Sequence, residues 1–252
     1  MVDGRRPVTA VLLTTAMVAA ATLVVAAQVV QVVQATPAGA TIRTAASAPT
    51  LYQDALATTR SWSVHYDSAS TESKVTLVES GNAGPASASQ TVTMGKGTIS
   101  ILVIGGFSYV KGNVNGLESL AGLSATQSAE ATGQWIEFST DNAAFSAVVD
   151  GVRSADVAKE LALKAPLSLG RSRTLDGQAV DTIDGTQSFG KKSEHVVLYV
   201  RAKGTHVPVE EDSVNAKGQD TDAEHIVFSK WGEQVRPEAP KATISVGSIS
   251  AV

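Results

Sequence analysis

The sequence predicts an α+β domain built on one large curved antiparallel sheet with helices packed on its concave face, preceded by an N-terminal transmembrane or signal helix. Three observations carry this. Segments with a two-residue hydrophobic period stand on both sides of a helical stretch. One segment, GTISILVIGG (97–106), is apolar on both faces, as a strand covered by a helix in the hollow of a curled sheet would be. No residue from Pro7 to Ile42 is charged.

The uncharged run comes first in the chain. Residues 8–33 are mostly Val, Ala and Leu, enough to span a hydrocarbon core, which takes about 20 residues as a helix. Arg5 and Arg6 precede it and no basic residue follows until Arg43, so the N-terminus is expected in the cytoplasm and the remainder outside. Ala38-Gly39-Ala40 also fits a small-residue cleavage site. Two states are therefore expected for an extracytoplasmic protein: anchored in the cell membrane by residues 8–33, or secreted after cleavage behind Ala40. Residues 1–35 form this segment, residues 36–50 (TPAGATIRTAASAPT, from Thr36) a linker, residues 51–236 the domain, and residues 237–252, with two prolines near their start, a loosely held tail.

Within the domain, LYQDALATTR (51–60) has the spacing of a short amphipathic helix. Trp62, Val64 and Tyr66 then alternate with polar residues, and KVTLVE (74–79) and SQTVTMG (89–95) continue the strand pattern around a turn-rich GNAGPASA. After the doubly apolar strand come FSYVKG (107–112), a helix over 115–123 starting at Asn115, and QWIEFS (134–139). Residues 142–165 are the longest helical candidate, interrupted at Asp150-Gly151, with Ser154 as a cap and Val157, Leu161 and Lys164 on one face, ended by Pro166. Asp176-Gly177 marks a hairpin, and HVVLYVRA (195–202), HVPVEED and AEHIVFSKWGE (223–233) complete the strands.

Chemistry is scarce. No zinc-protease, phosphate-loop, dinucleotide-binding or nucleophile-elbow motif occurs, so an enzyme is not expected and no cofactor is implied. Cysteine is absent, which removes disulfides, thiolate ligands and a lipid-modified cysteine. The net charge is −4, and residues 1–40 carry Asp3, Arg5 and Arg6, leaving −5 on the rest. That is no match for nucleic acid. His195 and His225 share a Glu-His-aliphatic pattern and would meet if their strands were neighbours, but no metal is expected from two strand histidines. Glu210-Glu211-Asp212, with Asp220, Asp222 and Glu224, lacks calcium-loop spacing and is expected at a solvated hairpin rim.

FSYVKGN (107–113), GQWIEFS (133–139), TLDGQAVDTIDG (174–185), LYVRAKGTHVPVEE (198–211) and FSKWGEQVRPEAP (228–240) follow one another in an order and spacing that resembles the actinobacterial LppX/LprG-like envelope proteins, which share the LolA-like half-barrel. The resemblance covers about residues 50–240. It implies a hydrophobic cavity between sheet and helices that carries a lipid or lipoglycan across the envelope without catalysis. This chain departs from the lipoprotein members in having no cysteine. Val64, Tyr66, Leu77, Ile101, Val103, Leu120, Val157 and Leu161, taken from apolar strand and helix faces, are the candidate ligand-binding residues. The alternative is a membrane-tethered sensor or protein-interaction domain that meets an envelope protein partner.

Overall fold

A computed structural model describes residues 47–249 apart from 73, 143, 144, 190, 191 and 216–221. The expected apolar run, residues 8–33, lies outside the described residues, and no helix among the described ones is long and apolar enough to cross a membrane.

Helix α1 (Ala48–Ser61) begins inside the stretch expected to be linker. Ser47 caps it by accepting from the Thr50 N–H, and Pro49 sits in the first turn where its missing donor costs nothing. Leu51, Tyr52, Ala55, Leu56 and Thr59 form its buried face.

Strands β1 (Val64–Glu72), β2 (Val75–Ala83), β3 (Ser87–Met94), β4 (Gly97–Ile104), β5 (Phe107–Gly112) and β6 (Ile136–Ser139) make a first antiparallel meander, with α2 (Val114–Ser119) and α3 (Ala125–Ala131) between its last two strands. After α4 (Ser146–Val149) and α5 (Ser154–Glu160), strands β7 (Lys164–Leu169), β8 (Arg173–Leu175), β9 (Gln178–Phe189), β10 (Lys192–Arg201), β11 (Pro208–Asn215) and β12 (Asp222–Ser229) make a second. The two meanders join where β1 pairs with β12, from His65↔Ser229 to Glu72↔Asp222. The result is one open, curved 13-stranded sheet in the order β13-β6-β5-β4-β3-β2-β1-β12-β11-β10-β9-β7, with β8 beside β9. Among the described strands, only the short β13 (Ile244–Ser245) runs parallel to its neighbour, β6.

Cross-strand register places both hydrophobic clusters on the same face, because Ala83 of the first lies opposite Ala88 of the second. Helices α1 and α5 cover the half made by β1, β2 and β9–β12, where Val64, Tyr66, Val196, Leu198, Ile226 and Phe228 are buried. The half made by β3–β6 holds Ile99, Ile101, Val103, Val110, Ile136 and Phe138 under α2, α3 and α4. At Gly116 the backbone of α2 lies so close to Thr98 of β4 that no Cβ would fit, and Asn113 locks the contact by accepting from both Gly116 N–H (2.7 Å) and Thr98 N–H (3.2 Å).

Several expectations need correction. Helix α2 starts at Val114 behind an Asn113 cap, rather than at Asn115, and ends at Ser119. The helical candidate over 142–165 resolves into the short α4 and α5 around Asp150-Gly151, with Gly151 at φ +86°. Ser154 is the first residue of α5 rather than its cap, and its hydroxyl donates to the Arg60 carbonyl. Lys164 is exposed at the start of β7, a strand whose Pro166 is tolerated because it lies at the sheet edge. β4 has helices on one face only; on the other, Leu102 and Ile104 are half-buried and face Tyr109 and Phe107 of β5. The tail is held: Ile244 N–H donates to the Trp135 carbonyl at 2.8 Å, and Ile249 is buried in the second cluster. The Asp176-Gly177 hairpin is present, with φ +48° and +80° as a type I′ turn requires.

Candidate functional site

The strand register sorts the helix-covered face into rows. Glu79 of β2 lies opposite Ser68 of β1, Ser68 opposite Ile226 of β12, Ile226 opposite Glu211 of β11, and Glu211 opposite Leu198 of β10. One row over, Leu77, Ser70, Glu224, Ser213 and Val196 follow in the same way. In the opposite direction the neighbouring row is Gly81, Tyr66 and Phe228. Moving along the strands, the face therefore changes from aromatic and aliphatic to acidic and hydroxylic. Helix α5 lies above this change and adds Glu160 from its last position.

Around a residual void of about 10 Å³ beneath α5 stand Tyr66, Glu79, Glu160 and Glu224, with Val157 and Phe228. That volume is at the lower limit for holding one water. Glu211 is 1 % exposed and its Oε2 has no hydrogen-bond partner; Tyr66 is 4 % exposed and its hydroxyl has none either. Glu224 is better placed, since Ser68 hydrogen-bonds its carboxyl and its own N–H donates to the Ser213 hydroxyl, which donates on to Glu194 Oε2. The ion pairs of the described residues involve Asp67, Asp156, Asp184 and Asp212, and none reaches Glu79, Glu160, Glu211 or Glu224.

Burial without a counter-cation favours the neutral form of a carboxyl. It pushes Glu224 up to about 7, with the charge of Glu79 adding to the effect and the Ser68 hydrogen bond opposing it. Burial also raises Glu79. Glu160 and Glu211 are held well above the usual carboxylate range, first by burial and then by Glu79 and Glu224 respectively. The Tyr66 hydroxyl is likewise raised by burial and by Glu79.

The cover over this site is one unit. The Tyr52 hydroxyl on α1 donates to the Leu161 carbonyl and accepts from the Leu163 N–H, and Ser154 joins the other end of α5 to α1. A side-chain bond from Gln187 Nε2 to the Glu160 carbonyl ties the end of α5 to β9.

Of the candidate ligand-binding residues, Val64, Tyr66, Val157 and Leu161 sit together in the cluster under α1 and α5. Ile101 and Val103 belong to the other cluster, with Leu77 and Leu120 packed against it. Tyr66, Val157 and Leu161 border the void beneath α5. Glu79 and Glu160 were not singled out from the sequence, and Glu211 and Glu224, expected at a solvated rim, overturn that expectation. Strand alternation turns Glu211 and Glu224 inward, while Glu210 and Asp212 point to the outer face with His225. The signal was present in AEHIVFS, where Glu224 has the parity of Ile226 and Phe228.

His195 and His225 are not brought together, because β11 separates their strands. His195 lies 3.5 Å from Asp184 and His225 2.7 Å from Asp212. Among the described residues, Glu210, Asp212 and His225 are the group whose ligand atoms converge within 4.8 Å; they lie on the outer face. A second hollow of about 260 Å³, between the start of β1 and residues 233–237, is polar, with His65, Asn82, Lys230 and Arg236 on its walls.

No protein-family model matches the chain, and no curated protein matches it. Among solved structures it is similar to LprF from Mycobacterium bovis, at 14 % identity over 77 % of this chain and 96 % of that one, with a TM-score of 0.49. The Pseudomonas aeruginosa MucA/MucB complex is another, at 12 % identity, covering 81 % of this chain and 61 % of that one, with a TM-score of 0.38. The Mycobacterium tuberculosis lipoprotein LppX, whose family the sequence resembles, is also similar, at 17 % identity over 75 % of this chain and 98 % of that one, with a TM-score of 0.46.

Proposed function

We propose that the domain binds an amphiphile, without catalysis, between the concave face of a half-barrel sheet and the α1–α5 cover, and carries it on the outer side of the cell membrane. One observation carries this reading: the covered face passes from Tyr66 and Phe228 to Glu79, Glu211 and Glu224 within three rows of the sheet. An apolar body and a polar end would each find matching walls there. The arrangement is costly for a permanently closed core, which gains nothing from a buried carboxyl oxygen without a partner such as Glu211 Oε2. Val64, Tyr66, Val157 and Leu161 would contact the apolar body, and α1 with α5 would move away from the sheet to admit it. Ile101, Val103, Leu77 and Leu120 would extend the apolar wall towards the second cluster. Residues 8–33, where retained, would supply the tether.

Mass spectrometry of an organic extract of the protein, purified from its native host, tests this. A lipid recovered in stoichiometric amount is the expected result. Repeated recovery of empty protein with the same filled interior would overturn it.

A second reading is favoured by how little space remains, about 10 Å³ beneath α5. A protein-interaction or sensor domain would need no open cavity. Cross-linking in cells would then trap one dominant partner protein, and larger side chains at Val157 would leave that partnership intact.

A further inference from the structure

We propose that the hollow beneath α5 receives the ammonium or guanidinium end of the amphiphile, with Glu79, Glu160 and Glu224 as its counter-charges and the Tyr66 hydroxyl as a further acceptor. This rests on the amphiphile-binding reading above and names the chemical class of its ligand.

Two independent observations converge on it. Three carboxyl groups, from β2, α5 and β12, border one hollow and have no basic side chain paired with them among the described residues. Separately, Tyr66, 4 % exposed, borders the same hollow, and its hydroxyl has no hydrogen-bond partner among the described residues. A hydroxyl accepts as readily as it donates, and an ammonium or guanidinium brings only donors. The aromatic ring beside the carboxyls adds a face that attracts a cation.

Geometry separates an organic cation from a metal ion. A metal needs its oxygens close together, and these carboxyls are not a group whose ligand atoms all lie within 4.8 Å; Glu210, Asp212 and His225 are. Wider spacing suits a head that reaches each carboxyl through its own N–H. The apolar flank, Val157, Leu161 and Phe228, sets the direction of the hydrocarbon body.

The test uses the full chain in nanodiscs of zwitterionic lipid, with binding to empty nanodiscs subtracted. Dodecylammonium, dodecanol, dodecanoate, 1,4-diaminobutane and calcium are titrated against tryptophan fluorescence, which Trp231 reports from beside Phe228. Dodecylammonium is expected to bind at least about tenfold more tightly than dodecanol, as charge-assisted bonds imply, and dodecanoate more weakly than either. Glu79→Gln and Glu224→Gln, each keeping the shape of a neutral carboxyl, should reduce that preference to about twofold. Asp67→Asn, on the outer face, should leave it intact.

Equal binding of all three dodecyl compounds overturns the proposal and leaves amphiphile carriage standing. So does an undiminished preference in both glutamine variants. Diaminobutane or calcium matching dodecylammonium also overturns it, in favour of a polyamine or metal site. If no dodecyl compound binds, both readings fall. The wild-type comparison decides even where a variant fails to fold.

Discussion

The hydroxyl of Tyr52 on α1 donates to the carbonyl of Leu161 at the end of α5, at 2.9 Å. The same oxygen accepts from the Leu163 N–H at 2.6 Å, so one phenol satisfies two backbone groups where a short helix stops. Tyr52→Phe would leave both unsatisfied in a buried setting and should cost about 1–3 kcal/mol in a urea melt. Hydrogen exchange should quicken over residues 154–163 and stay unchanged in β3 and β4.

Tyr66 and Gly81 face each other across β1 and β2, and a Cβ at position 81 would meet the Tyr66 ring at 2.7 Å. Gly81→Ala should therefore destabilise by about 1–3 kcal/mol through overpacking. Tyr66→Phe should not, because the hydroxyl it removes is buried without a partner. A Phe variant that melts no earlier than the wild type while losing affinity for amines would separate binding from folding at one oxygen.

Raised carboxyl values give the empty protein a specific pH response. In the folded state Glu224 titrates at about 7, against 4.5 for the free group. Between those values the folded chain holds a proton that the unfolded chain has lost, so stability falls as pH rises through this window. Glu79, Glu160 and Glu211 push in the same direction, while Lys159 beside Glu160 opposes and Asp156 adds to the rise. Chemical denaturation at pH 5 and pH 8 should show a loss on the order of 1–3 kcal/mol at the higher pH. Glu224→Gln should flatten the slope, and a wild-type protein that is more stable at pH 8 than at pH 5 would contradict the buried-acid assignment.

The end of the chain contributes to the second hydrophobic cluster. Ile249 is 6 % exposed, and Thr243 hydrogen-bonds Glu137 on β6. Ile249→Ala should cost about 2 kcal/mol, and a chain ending at residue 242 should lose at least as much, measured by thermal melting.

How much of this was legible depended on whether side-chain parity survived locally. β1, β4 and the β8–β9 hairpin were readable because their hydrophobic period or Asp-Gly turn is explicit. Helix α3, ATQSAEA, was not, since its residues are small or polar and its signal is the Ser124–Gln127 capping box. Pro166 reads as a terminator in one dimension and as an edge residue only once the sheet order is known. Glu79 and Glu224 share parity with Leu77 and Ile226, which a count along each strand could have found. Glu211 was harder, because the register of β10 and β11 shifts at Tyr199/Val200 and three acids in a row resemble a surface. Glu160 needed the helix to be placed over the sheet before its neighbours were known.

The seam between β1 and β12 also has a bearing on how the domain comes into being. The first meander can zip through hairpins as it emerges from the ribosome or a translocation channel, each strand meeting one made moments earlier. The centre of the sheet cannot, because β1 waits for residues 222–229. Until those arrive, α1 has no completed bed to lie on, and the inner side of β1 is without its second neighbour. The contact order of this one pairing makes the domain a late-closing structure, whose midline stays open to proteases and to pairing with another chain's strands until most of the domain has been made.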